Sequence, residues 1–159
     1  MLITGMSGTG KSTVLAELAE RGYTTVDADA DEWSHWGLGP DGKPDWMWRE
    51  DRMAELLSTS DGPGLFVAGT SVNQGKFYAH FDKVVLFSAP PAVMLERIAS
   101  RTNNEYGKSP EQWVEVLRNL ETVEPLLRRG ADAEIDTSGS LEDVVAAVLR
   151  LADGGSPEG

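Results

Sequence analysis

The sequence predicts an α/β protein with a parallel sheet, and three observations lead to this fold class. The apolar run at residues 1–4 is typical of a buried strand, and residues 13–21 carry apolar side chains at helical spacing. A second strand at residues 23–26 follows at once, so strand, helix and strand form one βαβ unit. Three further short apolar runs alternate with helical segments, at residues 65–68, 83–87 and 133–136.

Helices are predicted between these strands and after the last one. Residues 48–58 carry apolar side chains on one face, and Pro91 fits the first turn of a helix after the fourth strand. Ser109 begins a long helix, which Pro125 is expected to kink or divide. Ser140 begins the last helix as its N-cap.

The remaining segments are predicted to be irregular. Residues 33–48 hold four of the five tryptophans around a turn-rich stretch, and residues 102–110 are polar and turn-like. Residues 153–159 form a polar tail. Because the chain has 159 residues and no internal repeat, we predict one domain over residues 1–152.

Composition and charge exclude several classes of function. The chain has 26 acidic and 14 basic residues, and this net charge of −12 argues against a broad nucleic-acid surface. It has no cysteine, which excludes disulfides and thiolate metal sites and predicts a cytoplasmic location. No run reaches the length of a membrane span, so no membrane partner is expected. A monomer and a homodimer are both compatible with the sequence.

The first loop carries the motif G-x-x-x-x-G-K-S, between the first strand and the first helix. Its glycines let successive backbone N–H groups converge on an anion, and the helix adds the positive end of its dipole. Lys11 would contact the outer phosphates, and the Ser12 hydroxyl would bind Mg²⁺. The motif predicts that a nucleoside triphosphate, ATP with Mg²⁺, binds to these residues: Gly5, Ser7, Gly8, Thr9, Gly10, Lys11, Ser12 and Thr13.

Carboxylates follow the second strand, at the sheet edge where ligands of parallel α/β proteins bind. One of Asp27 and Asp29 would contact Mg²⁺, and the other would orient or deprotonate an acceptor hydroxyl. We assign Asp27 to the metal with Ser12 and Asp29 to the acceptor, and the reverse assignment stays open. The alternative interpretation is a turn with solvated carboxylates, in which Asp31 caps a helix.

Two arginines precede the polar segment 102–110. Arg97 and Arg101 are four residues apart, which places them on one helix face. A mobile loop bearing arginine would close over the triphosphate, exclude water and neutralise the developing charge. Arg101 is therefore a candidate catalytic residue together with Lys11, Asp27 and Asp29. The alternative is that both arginines lie exposed on an amphipathic helix.

Several side chains near the same edge are candidates for binding the acceptor. Thr70 and Asn73 follow the third strand, and Arg49 and Arg52 would bind an acidic acceptor or face solvent. Trp33 is the candidate from the tryptophan-rich segment 33–48. The indole side chains of this segment would either stack on a planar or sugar-like acceptor or pack into the core, and packing is the more common role.

Over nearly its whole length the chain resembles the small P-loop kinases of the shikimate kinase, gluconate kinase and adenylate kinase group. The resemblance rests on GMSGTGKST at 5–13, VDAD at 26–29, VVLFSAP at 84–90, ERIASR at 96–101 and EIDTSGSLEDVV at 134–145. It implies a P-loop NTPase fold, a three-layer α/β/α sandwich with a five-stranded parallel sheet in the order 2-3-1-4-5. It also implies that Arg97 and the loop around Thr137 to Ser140 border the adenine. Residues 102–110 would be a lid, and about 31–57 would bind the acceptor.

The chain also departs from these kinases. Shikimate kinases carry GGG after the third strand, where this chain has GTS at 69–71. Their F-R-x-x-E pattern reads WREDR at 48–52, and their R-x-P-L-Y pattern reads VEPLL at 123–127 without the arginine. The long insertion of the adenylate kinase lid is missing. These departures argue against shikimate and against a nucleoside monophosphate as the acceptor.

The sequence therefore predicts an ATP-dependent phosphotransferase that moves the γ-phosphoryl group of Mg·ATP to a hydroxyl of a small molecule. Two alternatives stay open. One is a nucleotide-binding regulatory switch without a small acceptor, and the other is a nucleoside or nucleotide kinase. Most switch ATPases place an aspartate on a strand where this chain has none, which favours the kinase.

Overall fold

The computed structural model of the protein describes residues 1–59, 64–101 and 108–154, and its centre is a parallel sheet. The sheet order is β2-β5-β1-β6-β7, which is 2-3-1-4-5 when only these five strands are counted. The predicted fold class is confirmed. The strands are β1 (Leu2–Gly5), β2 (Thr24–Asp27), β5 (Leu65–Ala68), β6 (Val84–Ser88) and β7 (Ala133–Asp136).

Helices cover both faces of this sheet. They are α1 (Lys11–Glu20), α2 (Glu50–Thr59), α3 (Pro91–Ser100), α4 (Pro110–Thr122), α5 (Glu124–Gly130) and α6 (Leu141–Ala152), with a 3₁₀ helix at Gln74–His80. Neighbouring residues of β1 belong to different cores because strand side chains alternate between faces. Ile3 packs with Leu18 of α1 and Val148 of α6, whereas Leu2 packs with Met53 of α2.

The prediction that residues 33–48 are irregular is wrong. They form an antiparallel hairpin of β3 (Ser34–Leu38) and β4 (Pro44–Trp48). Trp36 lies opposite Trp46, and such cross-strand aromatic pairs stabilise a hairpin that glycine and proline obscure in the sequence. Trp48 ends β4, so the following helix begins at Glu50 and not at residue 48.

The predicted helix boundaries are largely confirmed. Ser109 Oγ accepts the Gln112 N–H at 3.2 Å, and Ser140 Oγ accepts the Asp143 N–H at 3.1 Å. The long helix divides into α4 and α5 just before Pro125, as proline predicts. Asp31 caps no helix, because a turn and then β3 follow it.

Two predicted segments fall partly outside the described residues. These are the lid at 102–110, of which 108–110 are described, and the tail at 153–159, of which 153–154 are described. Within the described parts of the chain, no helix has the length and apolar character needed to cross a membrane.

Candidate active site

The loop between β1 and α1 has the backbone of a phosphate-binding loop. Gly8 and Gly10 adopt left-handed conformations with φ of 83° and 88°. A Cβ on Gly8 would lie 2.6 Å from the carbonyl oxygen of Met94, so no side chain fits there. Gly10 is the N-cap of α1, and the exposed N-terminus of this helix therefore opens toward the site.

Lys11 reaches back over this loop and contacts its backbone. Its Nζ donates to the carbonyl oxygen of Gly5 at 2.6 Å and to that of Met6 at 3.0 Å. Both carbonyls also accept a second hydrogen bond, from Thr70 Oγ1 and Thr9 Oγ1 respectively, each at 2.7 Å. The carbonyls are thus satisfied without the lysine, and the ammonium is available for a phosphate.

The surroundings of Lys11 destabilise its charged form and so lower its pKa. Burial lowers the pKa of Lys11 to about 8, because the charged form loses hydration. The carboxylates of Asp29 and Asp27 oppose this shift, whereas the guanidinium of Arg101 adds to it. An incoming triphosphate would stabilise the charged ammonium and raise the pKa of Lys11 again by supplying nearby anions.

The carboxylate of Asp29 is held in the site by two N–H donors, which make three contacts with it. The Thr70 N–H lies 3.1 and 3.2 Å from its two carboxylate oxygens, and the Trp48 indole N–H lies 3.4 Å from Oδ1. A Cβ on Gly69 would lie 2.8 Å from the same Oδ1, so only glycine leaves room for this carboxylate. Burial raises the pKa of Asp29, while Lys11 and the hydrogen bonds oppose the shift.

Asp27 differs from Asp29 although it lies beside it. It ends β2, is exposed, and accepts the backbone N–H of Asp29 at 3.1 Å. The two carboxylates line the same cavity as Ser12, which is exposed like Asp27. Hydroxyl and carboxylate oxygens are the donors that Mg²⁺ prefers, so Ser12 and Asp27 fit this ion.

A cavity of about 610 Å³ brings most of the predicted residues together. It collects the phosphate-binding loop, the two aspartates and both arginines of the segment before the predicted lid. Its lining includes Ser7, Gly8, Gly10, Lys11, Ser12, Thr13, Asp27, Asp29, Arg97, Arg101 and Thr137. Gly139, from the predicted loop at 137–140, also lines it, and sequence analysis missed Val14, Ser100, Leu141 and Val144.

Arg97 links the phosphate-binding loop to the loop after β7. Its Nη1 donates to the carbonyl of Gly8 at 3.3 Å and to Thr137 Oγ1 at 3.0 Å, and its Nη2 donates to the Thr137 carbonyl. Thr137 is buried, and its hydroxyl donates to the Thr9 carbonyl at 2.7 Å. These contacts fix two walls of the cavity against each other.

Apart from Asp29, the predicted acceptor residues lie outside this lining, and several of them make hydrogen bonds within the protein. Arg49 and Arg52 donate to the backbone carbonyls of Asp31 and Glu32 at 3.3 and 3.0 Å. Asn73 is buried and exchanges hydrogen bonds with the backbone of Trp48 at 3.2 and 3.0 Å. These contacts give Asn73 a structural role.

Trp33 and Thr70 also contribute mainly through contacts inside the protein. Trp33 packs against the core beside Trp48. The Thr70 hydroxyl donates to the Gly5 carbonyl, and its backbone N–H holds Asp29. Thr70 is thus hydrogen-bonded to the phosphate-binding loop and to Asp29, and Trp33 is packed against the core.

A buried polar network below the loop was not predicted. Gln74 Nε2 donates to Thr4 Oγ1 at 3.1 Å and to the Tyr78 hydroxyl at 2.7 Å, and Thr4 Oγ1 lies 3.0 Å from Thr70 Oγ1. The one signal in the sequence is a threonine inside an otherwise apolar strand. Its partners are 66 and 70 residues away, so the network depends on the fold.

Comparison with known proteins places the chain in a family. A family model described as "AAA domain" matches residues 1–122. The chain belongs to this family. A shikimate kinase of Halorhodospira halophila is 28% identical over 168 residues, covering 99% of this chain and 94% of that protein.

Solved structures of kinases share the fold of the chain. A shikimate kinase from Acinetobacter baumannii in complex with shikimate has a TM-score of 0.68 at 21% identity, covering 96% of this chain and 92% of that one. A deoxyadenosine kinase from M. mycoides with bound dATP has a TM-score of 0.63 at 13% identity, covering 96% and 98%. The resemblance to small P-loop kinases is confirmed, and the phosphotransferase is supported over the switch alternative.

Proposed function

We propose that this protein binds Mg·ATP in the described cavity and transfers the γ-phosphoryl group to a hydroxyl of a small-molecule acceptor. One observation carries the proposal: a half-buried ammonium and a half-buried carboxylate, Lys11 and Asp29, line one cavity at the phosphate-binding loop. The ammonium suits the donor phosphates, and the carboxylate suits an acceptor hydroxyl.

The nucleotide side of the site would work by positioning and charge. The loop N–H groups and the N-terminus of α1 would hold the phosphates, and Lys11 and Arg101 would neutralise charge on the group in transfer. Ser12 and Asp27 would hold Mg²⁺, which supplies further charge neutralisation on the phosphate oxygens. Arg97 and Thr137 would border the adenine, with Arg97 also fixing the loop through Gly8.

Asp29 would orient the acceptor hydroxyl and take its proton. As the acceptor oxygen bonds to the γ-phosphorus, the bond from that phosphorus to the bridging oxygen breaks and ADP leaves. The O–H proton passes to the carboxylate. Burial raises the pKa of Asp29 and so makes the carboxylate a better base than a solvated one.

Residues 1–152 would form the single catalytic domain, with a lid at 102–110 and an acceptor region at about 31–57. Trp33, Arg49, Arg52, Thr70 and Asn73 would act there through the walls they build. We expect a cytoplasmic monomer or homodimer that binds no nucleic acid, because the chain is acidic and has no cysteine.

The test is ADP release from Mg·ATP with and without a pooled extract of small metabolites, with the Lys11→Ala variant as the blank. We expect the extract to stimulate ADP release by the wild type, and Lys11→Ala to fold but show no stimulated release. Fractionation of the extract then identifies the acceptor. Tight ATP binding without stimulation by any fraction would refute the proposal in favour of the switch, and so would full turnover by folded Lys11→Ala.

A further inference from the structure

A chain of hydrogen bonds runs from the 3₁₀ helix to the phosphate-binding loop. Gln74 and Thr4 are buried, and Gln74 Nε2 donates to Thr4 Oγ1 at 3.1 Å. Thr4 Oγ1 lies 3.0 Å from Thr70 Oγ1, which donates to the Gly5 carbonyl at 2.7 Å. Because buried polar groups must find their partners within the protein, these contacts constrain one another. We call these four residues the donor chain.

Only one arrangement of the hydrogens satisfies every group of the donor chain. The Gly5 carbonyl has no hydrogen to give, so the Thr70 hydroxyl donates to it and must accept from Thr4. The Thr4 hydroxyl has then given its one hydrogen and must accept from Gln74. The Ser71 N–H lies 2.8 Å from Gln74 Oε1, which fixes the end of the amide that faces Thr4. The donor chain therefore runs in one direction, from Gln74 to Gly5.

Thr70, the last hydroxyl of the donor chain, contacts both halves of the proposed active site. Its Oγ1 accepts the Gly5 N–H at 3.2 Å and donates to the Gly5 carbonyl, the same oxygen that accepts Lys11 Nζ at 2.6 Å. Its backbone N–H lies 3.1 and 3.2 Å from the two carboxylate oxygens of Asp29. A shift of Thr70 would therefore move the proposed base relative to the phosphate-binding loop.

We infer that Gln74 and Thr4 are positioning residues for the phosphoryl transfer. Neither lines the cavity, and both act through Thr70, which they hold in place between Asp29 and the phosphate-binding loop. A misplacement of reacting groups by about 1 Å can lower a rate about 100-fold, so a buried brace of this kind matters for the rate more than for nucleotide binding. The inference rests on the proposed function and adds residues that do not touch the reactants.

The test compares the loss of a hydrogen bond on the donor chain with the loss of one beside it. Thr4→Val replaces the hydroxyl by a methyl group in a strand, where valine is favoured, and Thr4→Ser keeps the hydroxyl. Tyr78→Phe is the matched control, because the Tyr78 hydroxyl accepts from the same Gln74 Nε2 at 2.7 Å but lies off the path to Thr70. Gln74→Glu is a second disrupting variant, because an ionised carboxylate still accepts the Ser71 N–H but has no hydrogen for Thr4.

Four measurements are made on the wild type and on each variant. Hydrogen exchange followed by NMR reports on the Thr70 amide, urea unfolding gives the stability, and calorimetry gives the Kd for Mg²⁺ with a non-hydrolysable ATP analogue. ADP release at saturating ATP is measured with the metabolite fraction that stimulates the wild type. We expect Thr4→Val and Gln74→Glu to exchange the Thr70 amide about tenfold faster and to release ADP about tenfold more slowly, with the Kd changed less than about twofold. Thr4→Ser and Tyr78→Phe should stay within about twofold of the wild type in all three rates and affinities.

The other outcomes separate the inference from the proposed function. Wild-type rates of ADP release in Thr4→Val and Gln74→Glu overturn the inference and leave the phosphotransferase standing. An equal loss of rate in Tyr78→Phe also overturns it, because the loss then follows from any missing hydrogen bond of Gln74. If no metabolite fraction stimulates the wild type, the proposed function fails and the inference fails with it. Should urea unfolding show that Thr4→Val does not fold, Gln74→Glu decides by the same measurements.

Discussion

Replacing Lys11 by methionine should make the protein more stable while it abolishes nucleotide binding. Methionine keeps the length of the side chain but removes the buried charge. The carbonyls of Gly5 and Met6 keep the hydrogen bonds from Thr70 Oγ1 and Thr9 Oγ1, so the substitution leaves neither acceptor unsatisfied. Lys11 would then be a residue that serves the proposed function at a cost in stability.

The size of the effect follows from the pKa of Lys11. It falls from 10.5 to about 8 on folding, and at 1.36 kcal/mol per unit this corresponds to about 3 kcal/mol. Because the side chain keeps some contact with solvent in the open cavity, we expect a gain of about 2 kcal/mol. Below pH 8 the lysine is charged in both states and the full gain is present. As pH rises from 8 to 10.5, the gain disappears.

The assay is urea unfolding without nucleotide at pH 7 and at pH 10, followed by tryptophan fluorescence. Lys43→Met, in the exposed turn of the hairpin, is the control for removal of a lysine charge and should change the free energy of unfolding by less than about 0.5 kcal/mol. A Lys11→Met protein no more stable than wild type at pH 7 would refute the reasoning. A gain of equal size at both pH values would refute the electrostatic explanation.

Three further predictions concern activity. Gly69→Ala should push Asp29 out of place, and it should therefore lower kcat about tenfold or more with the KM for ATP unchanged. Gly75→Ala is the control, because a Cβ at Gly75 would meet no atom within 4 Å, and it should not lower kcat. Equal effects of the two substitutions on kcat would contradict this prediction. The Kd for ATP should rise with pH above about 8 in the wild type and not in Lys11→Arg, as measured by calorimetry. On acidification, kcat should fall at a higher pH than an ordinary carboxyl would give, because Asp29 must be ionised to accept the proton.

The parts of the fold that the sequence predicted are those with local signals. The first strand, the glycine loop and α1 are contiguous, so their chemistry and their periodicity identify them together. Ser109 and Ser140 are capping residues whose partners are three positions away. The strand order came from the resemblance to P-loop kinases, because spacing along the chain predicts parallel pairing but does not order the strands.

The features that the sequence did not predict depend on contacts between residues that are distant in sequence. The hairpin at residues 33–48 depends on cross-strand tryptophan pairs, which outweigh the turn-forming residues around them. Asn73 is a polar residue of the kind that binds ligands, but in the structure its side-chain amide exchanges hydrogen bonds with the backbone of Trp48, 25 positions away. Only the folded chain decides whether such a polar side chain faces a ligand or the protein.

In the proposed mechanism one short loop would position both reactants, because Thr70 contacts both Asp29 and the phosphate-binding loop. The Thr70 N–H holds the carboxylate of Asp29, and the Thr70 hydroxyl donates to the same Gly5 carbonyl that accepts Lys11 Nζ. Gln74 anchors this arrangement from below through Thr4. Since β1, β2 and β5 are adjacent in the sheet, the separation between phosphate donor and base is set by strand pairing. Closure of a lid would then exclude water from a geometry that the sheet already provides.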